Sequence, residues 1–194
     1  SKIARFYEAG RWKDSLYLVR DYIQGTSLKK LLSEGNKFSI QKSTEIILSI
    51  AEGLDILHSR NVFHGNLKPS NIFFNDQDSE QTVLTDYGLF PLRKNHILYE
   101  RKTIPDIFYY NAPEQTGLLK RPTDYHCDLY ALGIIYYQLL TGKLPFQEER
   151  PVKLLHQHLA GKPVHPSVHN PEVPEIIEYI VYKLLQKEPE ERFS

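Results

Sequence analysis

The stretch HGNLKPSN, His64 to Asn71, decides how this chain reads. It lies within VFHGNLKPSNIFF, Val62 to Phe74, a polar loop between two apolar flanks. The loop holds a His, a Lys and two Asn, all suited to polar chemistry, but no carboxylate where a proton acceptor would be expected.

Working outward, NIFF and TVLTDYG read as two short strands with the acidic turn NDQDSE between them. Upstream, Ile46, Ile47, Ile50, Leu54 and Leu57 recur at helical spacing, so 39–60 is expected to form a long amphipathic helix. Before it, QGTSLKKLL turns at Gly25 into a short helix, with Thr26 or Ser27 as its cap. Residues 3–9 and 15–22, rich in Tyr, Leu and Val and separated by RWKD, read as a β-hairpin. Downstream, 89–111 carries five basic side chains, counting His96, and little periodicity, which predicts a long irregular segment. Helices are expected over 128–141, 152–160 and 174–186. A small strand portion followed by a mainly helical body gives an α+β fold.

With 194 residues, the chain can bury one sizeable core. Apolar residues make up 41% and charged residues 25%, as in a soluble globular protein. Lys plus Arg (24) equals Asp plus Glu (24), so no net field favours nucleic acid or an anionic membrane. Cys127 is the single cysteine, which excludes a disulfide scaffold and fits a reducing compartment. The longest apolar run, LYALGIIYYQLL, has 12 residues, too short to span a bilayer. The chain has no Met and opens in mid-pattern, so a fragment of a longer protein is expected.

HGNLKPSN is followed, in order and at matching spacing, by DYG (Asp86–Gly88) and APE (Ala112–Glu114). This resembles the protein-kinase signature set H-R-D-L-x-x-x-N, D-F-G and A-P-E. LYLVRDYIQGTSL resembles the fifth strand and hinge of that family, and CDLYALG the buried start of its central large-lobe helix. LLQKEPEERFS resembles its closing segment, and LLTGKLPF with the run that follows is similar to bacterial Ser/Thr kinases. The resemblance covers essentially the whole chain. It implies that 1–24 is the last part of the small lobe with the hinge, and 25–194 the large lobe. Within the latter, 62–74 would be the catalytic loop and 86–114 the activation segment.

Carried over residue by residue, the resemblance makes Asn71 and Asp86 ligands of Mg²⁺, which prefers hard oxygen donors. Lys68 would steady the transferring phosphate of ATP. Asp21 to Ile23 would form the hinge beside adenine, with Phe73 as its floor. His64 would pack beneath Tyr87, Asp128 would open the central helix, and Arg192 would pair with Glu114.

The position of the catalytic carboxylate is Asn66, and a neutral amide cannot take a proton at ordinary pH. Gly65 replaces the Arg that would grip an activation-loop phosphate. Ile107, five residues before Ala112, replaces a Thr that would bond the catalytic groups. Arg20 falls where the family lines the back of the adenine pocket with an apolar side chain. There it either loses hydration, finds a carboxylate or, if the register is shifted, points to solvent. Tyr87 stands for Phe in the metal-binding triplet, and its hydroxyl needs a partner if buried. No Gly-rich loop or third-strand Lys precedes Ser1, so weak ATP binding is expected of this chain.

The expectation is therefore a Ser/Thr-kinase-like signalling domain, cytoplasmic, with phosphotransfer impaired. It would act by binding a protein partner, with nucleotide as a gate. Two alternatives stay open: a working kinase acting on a protein substrate, and a structural module that binds no nucleotide. His156, His158, His165 and His169 lack Cys or acidic partners at zinc-like spacing and read as surface and packing residues.

Overall fold

The computed structural model describes residues 1–13, 15–75, 78–89 and 104–194. Most of the irregular 89–111 segment expected from the sequence lies outside these residues, as do Asp14 of RWKD and Asp76 and Gln77 of the acidic turn.

The hairpin is present as β1 (Phe6–Trp12) and β2 (Ser15–Arg20), antiparallel, with Glu8 opposite Val19 and Trp12 opposite Ser15. The first strand starts three residues later than 3–9 predicts. Lys2 and Ala4 instead bond Leu84, through Leu84 N to Lys2 O and Ala4 N to Leu84 O at 2.9 Å each. RWKD is not all turn, because Arg11 and Trp12 remain paired.

A second sheet joins β3 (Gly25–Ser27), β4 (Ile72–Asn75) and β5 (Asp78–Leu84) in antiparallel order. Pairing of Thr26 with Phe74 and Ser27 with Phe73 carries the loop's exit strand back to the hinge. Ser27 also caps α1 (Leu28–Ser33), its Oγ accepting from Lys30 N at 3.2 Å. Ser39 caps α2 (Ile40–His58) in the same way through Lys42 N at 3.1 Å, satisfying an amide the helix cannot.

The core forms where α2 meets α3 (His126–Thr141). Ile46, Ile50 and Leu54 of α2 are buried, as the spacing requires. α3 is buried nearly all round, from Cys127 to Leu140, which marks it as the helix the body is built about. Thr44 Oγ1 and Tyr136 OH join the two helices at 2.7 Å. α4 (Pro151–Ala160), α5 (Pro166–His169) and α6 (Glu175–Leu184) complete the body. Among the described residues no helix is long and apolar enough to cross a membrane.

Candidate functional site

The loop His64–Asn71 is fixed from beneath by a buried carboxylate. Asp128, 1% exposed, accepts the backbone N–H of His64 at Oδ2 and of Gly65 at Oδ1, both at 2.7 Å. Such charge-assisted bonds are about twice as strong as neutral ones. His58 Nε2 reaches the same Oδ2 at 2.9 Å. Gly65 has φ +64°, a left-handed backbone that glycine adopts without strain. Its carbonyl accepts from Gln115 Nε2 at 3.0 Å, and Gln115 Oε1 accepts from Ala112 N at 3.0 Å. Gln115 thus clamps the APE turn to the loop. Sequence reasoning passes over it, because an amide in a four-residue turn leaves no periodic signal.

His64 is fully buried, and its ring lies 6.3 Å from that of Tyr87. Desolvation pushes its pKa down, so the ring stays neutral. Its Nδ1 accepts from Asn66 N at 3.3 Å, and its carbonyl from Gly88 N at 2.9 Å. Tyr87 finds the partner its hydroxyl needs in the Ala4 carbonyl, at 3.0 Å.

Asn66, Asn71 and Asp86 come together. Asn71, 4% exposed, donates through Nδ2 to Asn66 O at 2.8 Å and accepts from Ser70 Oγ at Oδ1, 3.1 Å away. Asn66 Nδ2 donates to Asp86 O at 3.2 Å. A carboxylate could not make that last bond, so the amide at 66 is used as a donor. Lys68 is half-buried and opens the short turn Pro69–Asn71. It borders a cleft of about 310 Å³ with Lys29, Leu32, Asp106 and Tyr109. Ile107 is 8% exposed and gives the turn Asp106–Tyr109 a buried apolar side chain. A second cleft of about 540 Å³, lined by Leu54, His58, Val62, Tyr125 and Leu129, lies behind the loop and includes none of Asn66, Lys68, Asn71 and Asp86.

Arg20 does find a carboxylate, and it is that of Asp86. Arg20 Nε lies 3.0 Å from Asp86 Oδ1, with the two side chains 27% and 33% exposed. Arg20 Nη1 donates to Asp21 O at 3.1 Å, and the guanidinium stands 6.0 Å from the centroid of the Phe73 ring. Asp21 is itself tied to β1, accepting from Arg5 N at 2.9 Å and Tyr7 OH at 2.5 Å. Ile23 follows in the half-buried hinge. A half-exposed ion pair contributes only about 0–1 kcal/mol, so it sets the arrangement more than the stability.

A divalent cation entering the site as arranged would meet a like charge. Asn71 offers a hard oxygen, but the carboxylate of Asp86 already faces a guanidinium cation at 3.0 Å.

At the far end, Arg192 forks onto Glu114, both buried, and Arg192 Nη1 also donates to His126 O at 2.8 Å. Among the described residues no three His, Cys, Asp or Glu side chains cluster as a metal site requires.

The family model for the protein kinase domain matches residues 1–194, and the chain belongs to that family. It is 28% identical over 194 residues to a probable serine/threonine-protein kinase of Clostridium acetobutylicum, covering 100% of this chain and 29% of the relative. It is also 28% identical to serine/threonine-protein kinase PrkC of Bacillus subtilis, over 99% of this chain and 29% of that protein. With serine/threonine-protein kinase PknF of Mycobacterium tuberculosis it shares 31% identity over 99% of this chain and 41% of the relative. The chain spans under a third of the length of the first two relatives.

Proposed function

We propose that this is a Ser/Thr-kinase-like domain that acts by binding a protein partner, with phosphotransfer lost or severely weakened. The observation that carries the reading is Asn66, whose side chain donates to Asp86 O where the family needs a proton acceptor. Losing a general base costs ~10²–10⁴-fold in rate. Phosphoryl transfer relies mainly on positioning and electrostatics, so some activity survives a missing base if metal and phosphate stay in place. Here the second support is weakened too, because Asp86 faces Arg20. The buried Glu114–Arg192 pair and the Asp128 clamp, by contrast, keep the scaffold that a partner would recognise. In this reading Asn66 and Lys68 are the remnant catalytic positions, Asn71 and Asp86 the remnant metal positions, and Asp21, Ile23 and Phe73 the remnant nucleotide wall. A nucleotide able to displace Arg20 from Asp86 acts as a gate on partner binding, in the cytoplasm.

Mg·ATP thermal shift and labelled-phosphate transfer on the intact protein test this. Little or no transfer supports the reading. Transfer that is abolished by Asp86→Ala would identify a working kinase.

A further inference from the structure

We infer that Arg20 is a built-in counter-ion that keeps Mg·ATP out, occupying at once the places the metal and the adenine would take. The inference rests on the reading of Asp86, Asp21 and Phe73 as the remnant nucleotide site.

A nucleotide with its metal would need three things here: a free carboxylate for the cation, a backbone acceptor at the hinge for the base, and an open ring face beneath it. Arg20 engages all three. Its Nε is 3.0 Å from Asp86 Oδ1, its Nη1 is 3.1 Å from the Asp21 carbonyl, and its guanidinium carbon lies 6.0 Å from the Phe73 ring centroid. One planar group with N–H bonds directed along different edges can do this; an ammonium on a flexible stem would not span the same points.

Its two anchors are held independently. The hinge end is tied to the residue before β1, with Asp21 N donating to Arg5 O at 3.0 Å and Asp21 Oδ2 accepting from Arg5 N at 2.9 Å. The Asp86 end is tied to the loop through Asn66 Nδ2, and Asp86 itself holds φ +58°, a conformation Asp tolerates better than most side chains. Arg20 therefore crosses between two fixed points. A dication approaching Asp86 meets a cation already there, and a base approaching the hinge meets a carbonyl that already accepts one N–H with the guanidinium lying beside it. Mg·ATP has to displace this side chain to enter.

The experiment measures Mg·ATP affinity of the intact protein by titration and thermal shift, beside ATP with chelator. Wild type is compared with Arg20→Leu, and with Arg20→Gln, which keeps polarity and length should the leucine variant not fold. The expected result is no Mg-dependent ATP response in wild type and at least ~10-fold tighter Mg·ATP binding when the charge is removed, about 1.4 kcal/mol. Wild-type binding as tight as the variant's, or a folded variant with no gain, overturns the inference. Tight wild-type binding without phosphate transfer would remove Arg20 from this role and leave the proposed function standing. Robust wild-type transfer would instead remove the proposed function.

Discussion

Arg192 and Glu114 meet as a two-pronged pair, Nη1 to Oε1 at 2.7 Å and Nη2 to Oε2 at 2.9 Å, with the side chains 0% and 1% exposed. They are 78 residues apart in the chain, so the pair joins the short turn Pro113–Thr116 to the segment that follows α6. Removing one partner leaves the other charge buried without its counter-ion, which costs about 3–5 kcal/mol. Glu114→Ala should lose that much in urea unfolding. Arg121, which pairs with Glu188 and Glu190 at the surface, should lose within ~1 kcal/mol when changed to Ala. Equal losses at the two sites would contradict the burial argument.

A second prediction concerns pH. His158 is fully buried, its Nδ1 3.1 Å from Tyr130 OH and its ring 5.2 Å from Phe146. Burial, aided by the charge of Lys187, pushes its pKa down to about 3. In the unfolded chain the imidazole titrates near ~6.5. The unfolded state therefore binds the extra proton between those values. The contribution is fully present above pH ~6.5 and is lost as pH falls toward 3, by up to about 1.4 kcal/mol per pH unit. His64, also lowered by desolvation, acts in the same direction. Urea unfolding at pH 7, 6 and 5 should show stability falling with acid, and His158→Gln should flatten that slope. An unchanged slope in the variant would show that His158 does not titrate this way.

Packing gives a third. A Cβ on Gly133 of α3 would lie 2.8 Å from Leu184 Cβ and 3.0 Å from Leu185 Cδ2. Alanine normally favours a helix over glycine by up to ~1 kcal/mol. Here overpacking costs about 1–3 kcal/mol, and Leu184 Cβ is rooted to its backbone and cannot swing away. Gly133→Ala should lower the melting temperature. A rise would mean that α6 shifts freely.

These particulars also show what the sequence makes legible. The apolar spacing of α2, with Ser39 as its cap, states its helix locally, and so does Ser27 before α1. The three-residue strand β3 and the four-residue helix α5 are too short to carry a period. The start of β1 is misplaced because its side chains are mostly exposed, leaving no alternation to mark its end. Within the site, Asn66, Asn71 and Asp86 are readable from motif order. The arrangement that joins them is not, since Arg20 and Asp86 lie 66 residues apart and Gln115 and Gly65 lie 50 apart. For Arg20 the residue type alone leaves both a carboxylate partner and solvent open.

The central claim is that the fold has kept its architecture and given up its proton acceptor. The most direct measurement is labelled-phosphate transfer by the intact protein carrying Arg20→Leu and Ile107→Thr, with and without Asn66→Asp. The aspartate change forfeits one hydrogen bond to Asp86 O, about 1 kcal/mol, but restores a group able to take the proton. A gain of at least ~10²-fold on adding Asn66→Asp is the predicted result. Equal transfer with and without it, in protein that binds Mg·ATP, would contradict the account.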